Sequence, residues 1–216
     1  MHHALPHWSS LTLVIDDVYH PILVRYSAEH KRETRERILH TASRHFRRRG
    51  GKGVAIADLM GKLKLTHGGF YKHFDSKEQL LTEAVAKAFE ETEGKFNERV
   101  SGARPGTELR ALIEGYLSLE HCADAGGGCP MAALATEVGR LPRPVRAQID
   151  QAIKQRVKRV SRLMPGATEK EREQKTMALL SGLIGTVSVA RALSDPKARK
   201  AVLAASKHFY IKTFCN

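Results

Sequence analysis

Apolar residues recur at helical spacing along most of the chain from Ser27 onward, and no segment shows the alternation that marks a half-buried strand. In the first helical segment Ile38, Ala42 and Phe46 are four residues apart, so they share one face of a helix that Ser27 can cap. The glycine cluster at residues 50–53 ends that helix. The pattern therefore predicts an all-α fold of about nine helices.

Two short helices and one long helix follow the first helix. The first short helix has four apolar residues on one face, at positions i, i+3, i+4 and i+7: Ile56, Leu59, Met60 and Leu63. Thr66 can cap the second short helix, and Ser76 with Gln79 forms a capping box for a long helix that reaches about residue 100. Two short helices joined by a tight turn near Lys64 indicate a helix-turn-helix. We predict this DNA-binding domain over residues 27–81.

A boundary at residues 102–106, which contain Pro105 between two glycines, separates a second helical domain over residues 103–216. Its predicted helices cover residues 107–122, about 131–138, 142–160, 168–193 and the segment after Asp195-Pro196. Residues 1–26 are predicted to be an N-terminal extension that is disordered or not native, with Val24 as an alternative start. A functional arm in the minor groove is the other interpretation, but such an arm would be basic, and residues 1–23 contain no Lys or Arg.

The positive charge lies in two parts of the chain, the predicted helix-turn-helix and residues 131–216, where a net charge of +11 is spread along helical patterns and indicates mostly solvated surface. The 216 residues carry 36 Lys and Arg against 23 Asp and Glu, a formal charge of +13, and residues 25–73 alone carry +9. Such a segment favours a polyanion as partner, although a solvated basic face has the same composition. Residues 74–130 carry −5, which counts against a DNA-compacting protein that spreads basic charge over its whole fold.

Other function classes find little support in the composition. No run of about 18 uncharged apolar residues exists, so the sequence predicts no membrane span. The three cysteines, Cys122, Cys129 and Cys215, lack metal-ligand spacing, which indicates a reduced cytoplasmic protein with no metal and no cofactor. An enzyme with Cys129, His121 and Glu137 is an alternative, but nothing in the sequence orders them as nucleophile, base and orienting group.

Two sequence blocks identify a family. The segment TRERIL at residues 34–39, with Phe46, and the segment LTHGGFYKHFDSKEQL at residues 65–80 resemble the TetR family of bacterial transcription regulators. The segment GCPMAAL at residues 128–134, with Glu137, is similar to one subgroup of that family. The family usually has glycine at the turn position that Lys64 occupies here. If that turn requires a positive φ, lysine costs roughly 1 kcal/mol there.

The resemblance implies a DNA-binding regulator without enzymatic activity. It implies that Thr66, His67 and Gly68 face bases, that Tyr71, His73 and Lys77 contact phosphates, and that Lys64 and Lys72 lie on the same surface. The predicted function is that of a homodimeric repressor, which a small hydrophobic molecule releases from a palindromic operator in double-stranded DNA. A regulator that senses redox state or electrophiles through Cys129 is the alternative.

The C-terminal helices are expected to bind the effector and to form the dimer. The predicted pocket is mainly apolar and consists of Tyr116, Cys129, Met131, Leu134, Ile153 and Met177. The predicted dimer interface lies on the last two helices, on the face that carries Leu180, Ile184, Val187 and Ala190.

Overall fold

A computed structural model describes residues 16–50 and 54–215, and over these residues the chain is helical throughout, with no strand. This confirms the predicted all-α fold. The described residues form nine α-helices, together with two short 3-10 helices at His67–Lys72 and Val138–Arg140. The α-helices are α1 (Asp16–Arg49), α2 (Ile56–Lys62), α3 (Lys77–Ser101), α4 (Glu108–Tyr116), α5 (Leu119–Ala123), α6 (Pro130–Leu134), α7 (Arg143–Ser161), α8 (Glu169–Ala192) and α9 (Pro196–Phe214).

Helix α1 begins earlier than its sequence predicts. It starts at Asp16, eleven residues before the predicted cap at Ser27, and Pro21 lies in its second turn. Residues 16–26 are therefore helical and not disordered. Residues 1–15 lie outside the described part of the chain, and the interpretation of the extension as not native stays a prediction. The chain forms two compact units, and the boundary between them falls within α1, between Arg37 and Ile38. The first unit holds the beginning of the helix, where Arg32 and Glu29 form an ion pair of 3.5 Å on the surface.

The second unit contains a core built around three phenylalanines. Phe46 of α1 and Phe70 and Phe74 around the second short helix are buried, and the rings of Phe70 and Phe74 stack with their centroids 5.6 Å apart. Burial of one such side chain contributes roughly 1.5–3 kcal/mol. The apolar positions predicted for α1, α2 and α3 surround these rings and confirm the predicted core: Ile38, Leu39, Ala42, Leu59, Met60, Leu80 and Ala84.

The predicted helix starts are largely confirmed. Four side-chain oxygens accept a hydrogen bond from a backbone N–H group in the first turn of the following helix: those of Thr66, Ser76, Thr168 and Asp195. Such a cap stabilises its helix by about 1 kcal/mol relative to alanine. The prediction of a single helix over residues 107–122 is wrong. Helix α4 ends at Tyr116, and a separate helix, α5, begins after Ser118, whose hydroxyl caps it by accepting from His121 N at 3.0 Å.

A second core lies among α3, α4, α7, α8 and α9. Its fully buried members include Ile113, Val160, Leu179, Leu183 and Val187. Helices α8 and α9 approach closely at Gly182, where an added Cβ would overlap the phenol ring of Tyr210. In the described residues no helix is long and apolar enough to span a membrane.

Candidate DNA interface and ligand cavity

The turn between α2 and the second short helix has a left-handed residue at Lys64. Its φ is 58°, the only positive φ of a non-glycine residue among those the structure describes. Lys64 N donates to Gly61 O at 3.0 Å and Leu65 N donates to Met60 O at 2.9 Å, which is the Schellman pattern that usually ends in glycine. The turn therefore has the positive φ at which lysine is expected to be strained.

Replacing Lys64 by glycine should stabilise the domain. Because an L-residue in this conformation is strained, we expect Lys64→Gly to raise the free energy of unfolding by about 1 kcal/mol. Lys64→Ala is the matched control, since it also removes the charge but keeps the Cβ atom and its strain. Urea unfolding of both variants measures the difference. Equal stability of the glycine and alanine variants would show that the turn is not strained.

The 3-10 helix His67–Lys72, which we name the recognition segment, has one buried and one exposed face. Phe70 anchors it in the core, while Tyr71 is 60% exposed and His67 and Lys72 are also exposed. A Cβ on Gly68 would have no heavy atom within 4 Å, so the backbone there is open to a close partner.

The remaining residues of the predicted DNA surface lie at the two ends of this segment. Lys64 and Thr66 are exposed before it, and Lys77 is exposed at the first position of α3. His73 differs from the others, because it is half-buried at the end of the segment. The structure therefore leaves seven of the eight predicted residues exposed on and beside the helix-turn-helix.

A cavity of about 160 Å³ opens between α3, α4, α5 and α7. Of the predicted pocket residues, only Tyr116 and Cys129 line it. Leu134 and Met131 pack instead against the core around the three phenylalanines. Ile153 and Met177 lie on the surface, 37% and 50% exposed, because each occupies the outer face of its helix. The lining residues that the sequence did not predict include Thr92, Lys95, Phe96, Arg99, Leu112, His121 and Arg156.

His121 is fixed on the wall of this cavity by two backbone groups. Its Nδ1 bonds to the carbonyl oxygen of Tyr116, which can only accept, so Nδ1 carries the proton. Nε2 then accepts from the backbone N–H of Cys129 at 3.2 Å. Burial lowers the pKa of His121, as do the charges of Arg191, Arg99 and Lys95, which favours the neutral ring.

The arrangement does not form the alternative catalytic site. Both ring nitrogens of His121 are used by backbone groups, so the imidazole is not placed to take a proton from the Cys129 thiol. Glu137 lies beside Gly50, where a Cβ would overlap its carboxylate, at the C-terminal end of α1. The thiol of Cys129 lies beside the hydroxyl of Tyr116, and the pKa of Tyr116 is raised by burial and by this neighbour.

Side chains of α1 contact the loop that leads into the cavity wall. We name residues Gly126–Gly128 the glycine loop. An added Cβ at Gly126 would contact Arg48, and one at Gly127 would contact Arg44 and overlap Asp124. At Gly128 an added Cβ would lie 2.8 Å from Asp124 O. Gly126 and Gly127 therefore allow Arg48 and Arg44 of α1 to lie directly against the loop, while Gly128 lies against the backbone of Asp124.

Arg47 makes the central contact between α1 and the glycine loop. Its side chain is fully buried and forms an ion pair with Glu91 of α3. Its Nη1 donates to Gly128 O at 3.0 Å, and its Nη2 donates to Ser43 Oγ at 2.8 Å. One buried guanidinium thus joins the helix that carries the DNA-binding core to the residue that precedes Cys129 in the cavity. The sequence contains one indication of this contact, since the arginines at positions 44, 47 and 48 share one face of α1.

The exposed apolar face of α8 differs from the predicted dimer face. Val187 and Ala190 are buried inside the chain, and Leu180 and Ile184 are half-buried, so the predicted face is turned inward. Between Met177 and Val189, the residues that α8 exposes follow one another at helical spacing and are small or apolar: Met177, Ala178, Ser181, Gly185 and Val189. An added Cβ at Gly185 would have nothing within 4 Å, and α9 exposes Phe209.

Comparisons with known proteins match both halves of the chain. The family model described as "Bacterial regulatory proteins, tetR family" matches residues 38–84. The model described as "Tetracyclin repressor-like, C-terminal domain" matches residues 105–206. The first match covers the helix-turn-helix, and the second covers the cavity walls of α4, α5 and α7 and the exposed face of α8.

Individual proteins give the same assignment. The chain is 36% identical over 107 residues to the HTH-type transcriptional regulator MT0206 of Mycobacterium tuberculosis, which is 49% of this chain and 53% of that protein. It is 27% identical over 107 residues to the HTH-type transcriptional repressor KstR2 of Rhodococcus jostii, covering 50% and 51% of the two chains. The chain therefore aligns with about half the length of these relatives.

Solved structures show the same fold along nearly the whole chain. A TetR transcriptional regulator from Chloroflexus aurantiacus superposes with a TM-score of 0.73 and 23% sequence identity, covering 87% of this chain and all of that one. The helix-turn-helix, the C-terminal helices and both family matches agree. The chain is a member of the TetR family of bacterial regulatory proteins.

Proposed function

We propose that this protein is a transcriptional repressor that binds a palindromic operator as a homodimer and releases it when a small molecule occupies the cavity. The observation that carries the proposal is the recognition segment, which Phe70 anchors in the core while its polar and basic residues remain exposed. An exposed short helix with its N-terminus free suits entry into the major groove. The relative KstR2 is described as a repressor.

The exposed residues divide into two groups by position. Thr66, His67 and Gly68 lie at the N-terminal end of the recognition segment, where side chains meet base edges in helix-turn-helix proteins. The second group is expected to contact phosphates, which position the protein without reading sequence: Lys64, Tyr71, Lys72, His73 and Lys77. Lys77 lies in the first turn of α3, where backbone N–H groups also favour a phosphate.

Removing the Lys77 ammonium should weaken binding to all DNA sequences to a similar extent. We expect Lys77→Ala to reduce the slope of log K against log salt concentration by roughly 1, because one phosphate contact and its released counterion are lost. Tyr71→Phe should weaken binding without changing the preferred sequence. Lys170→Ala, at an exposed position in α8, is the charge-matched control. Fluorescence anisotropy at several salt concentrations measures both slopes, and an unchanged slope for Lys77→Ala would remove Lys77 from the interface.

The glycine loop supports a route from the cavity to the DNA-binding helices. Gly127 and Cys129 line the cavity, and Gly128 between them accepts from Arg47 of α1. Lys95 of α3 also donates to Gly127 O, at 2.8 Å. A ligand that favours one position of this loop therefore favours one position of α1 relative to α3. In a dimer this shifts the population away from the spacing of recognition segments that fits the operator.

A reversible ligand is favoured over a reactive sensor at Cys129. The nitrogen of His121 that accepts a hydrogen bond takes it from the backbone of Cys129 and not from its thiol. The hydroxyl beside the thiol belongs to Tyr116, whose raised pKa keeps it protonated and unable to act as a base. Neither neighbour is placed to take the proton of the thiol.

A further inference from the structure

We propose that the effector is a small organic anion, a carboxylate attached to a single ring or a short apolar chain. This proposal rests on the proposed function, because it assigns a ligand class to the same cavity. It replaces the mainly hydrophobic molecule that the sequence predicts. The size of the cavity, one buried hydroxyl without a strong acceptor and the surrounding cations carry it.

The size and the apolar wall limit the body of the ligand. The cavity measures about 160 Å³, and Phe96 and Leu112 form its apolar side. An apolar cavity of about 150 Å³ in another protein admits benzene, so one ring or a chain of similar size fits this space. The guanidinium carbon of Arg156 lies 4.9 Å from the centre of the Phe96 ring, which places positive charge against the same wall.

The hydroxyl of Tyr116 is a buried hydrogen-bond donor whose polar neighbour is the thiol of Cys129, a weak acceptor. In the described residues its oxygen has no hydrogen bond to a nitrogen or oxygen atom, although the side chain lines the cavity. Leaving a buried polar group unpaired costs roughly 1–3 kcal/mol. A carboxylate in the cavity supplies a strong acceptor. Behind this wall, Nη1 of Arg191 is likewise buried without a partner, while the other nitrogens of the guanidinium bond to the carbonyls of His121 and Cys122.

The charges around the cavity are arranged to favour an anion. Lys95, Arg99 and Arg156 line it, and the charges that lower the pKa of His121, after burial, are those of Arg191, Arg99 and Lys95. Arg156 is compensated by an ion pair with Glu93. Arg99 makes no ion pair within the described part of the chain, and its guanidinium lies against Gly115, where any Cβ would overlap it. Glycine at this position therefore leaves room for Arg99 beside Tyr116.

The two acidic side chains on the wall offset only part of this field. Asp124 accepts from Gly127 N at 2.8 Å and pairs with Arg44 at 3.3 Å and with Lys95 at 3.8 Å, so it compensates Lys95. Glu120 and Arg99 are both exposed, and water screens the charge of each. Among the described residues, Arg99 is therefore the lining cation that has no paired carboxylate, and a neutral apolar ligand would leave the Tyr116 hydroxyl without a strong acceptor.

Calorimetry on the free protein tests the ligand class without DNA. The probes are benzoate, phenylacetate and hexanoate, each compared with the amide of the same carbon skeleton. At least one carboxylate is expected to bind and to raise the melting temperature, with an affinity roughly tenfold or more above that of its amide, because hydrogen bonds to charged groups are the stronger ones. Amides that bind as tightly as the acids, or three carboxylates that fail to bind, would overturn the proposal.

Two variants test the residues. Tyr116→Phe removes only the hydroxyl, and Arg99→Gln removes only the charge; each is expected to weaken carboxylate binding by roughly tenfold. Arg104→Gln is the matched control, since Arg104 is exposed in the same part of the chain but does not line the cavity. Equal binding by Arg99→Gln and Arg104→Gln would show that bulk charge, and not the cavity, attracts the anion.

The same carboxylate is then added to the protein bound to a DNA duplex that it has enriched from a pool of random sequences. Release of the DNA by the acid but not by its amide supports the effector role, whereas binding without release overturns it. A protein that binds no DNA sequence at all would contradict the proposed function, while the calorimetric result would still report on the cavity. The two failures are therefore distinguishable.

Discussion

Val189→Arg should convert the protein into a folded monomer that binds its operator at least roughly a hundredfold more weakly, because a monomer loses the second half-site. Val189 is 53% exposed on the face of α8 that also carries Met177, Ser181 and Gly185. A charge there touches only solvent in the single chain, so folding is not affected. In a dimer that packs through this face, the charge would be buried without a partner, which costs several kcal/mol.

The control for this variant is Ile153→Arg. Ile153 is an exposed apolar residue on α7, outside this face of α8, and it receives the same charge. Sedimentation velocity separates monomer from dimer, circular dichroism checks folding, and anisotropy measures DNA affinity. A stable dimer of Val189→Arg would place the interface on another surface, and a monomer of Ile153→Arg would do the same.

Arg47→Met should reduce the free energy of unfolding by roughly 3 kcal/mol, because it leaves the carboxylate of Glu91 and the carbonyl of Gly128 without their main partner in a buried site. His40 Nδ1 remains at 2.8 Å from Glu91, so the loss is smaller than for an isolated charge. Arg48→Met is the matched control, since Arg48 is exposed one position further along α1. We expect it to change stability by less than about 0.5 kcal/mol. Equal effects of the two variants in urea unfolding would contradict a central role for Arg47.

The pH dependence of stability gives a second readout of this ion pair. Burial acts to raise the pKa of Glu91, but the hydrogen bonds and charges of Arg47 and His40 outweigh it, and the pKa lies below its usual 4.5. A carboxyl group with a lowered pKa contributes stability above its unfolded value and loses it as pH falls through the folded value. Stability should therefore fall below about pH 4.5 in the unchanged chain, and less steeply in Arg47→Met.

The helix-turn-helix could be predicted from the sequence because its determinants are local. The caps at Thr66 and Ser76 act within one turn, and the turn at Lys64 is defined by bonds to residues three to five positions away. The apolar residues of α2 pack on a neighbouring helix, so periodicity alone identifies their face. The start of α1 is predicted too late, because the prediction there also rests on local signals. Serine at position 27 could cap a helix, but a residue of this type does not begin one where the helix continues on both sides of it.

The cavity and the dimer face could not be predicted in this way. The lining of the cavity comes from four separate helices and the glycine loop, and its polar members Lys95, Arg99 and Arg156 look like solvated surface when each helix is read alone. Helix α8 carries apolar residues around most of its circumference, so spacing identifies several faces and not which one is buried. Val187 and Ala190 turned inward, and Val189 turned outward.

The central claim is that the recognition segment reads operator DNA as a pair related by two-fold symmetry. Selection of the full-length protein against random duplexes tests it most directly, together with the same selection for His67→Ala, whose side chain is exposed at the N-terminal end of the segment. We expect the unchanged protein to enrich an inverted repeat, and His67→Ala to change the preferred base at one symmetric position in each half-site. No enriched sequence, a single unrepeated motif, or an identical repeat for His67→Ala would contradict the account.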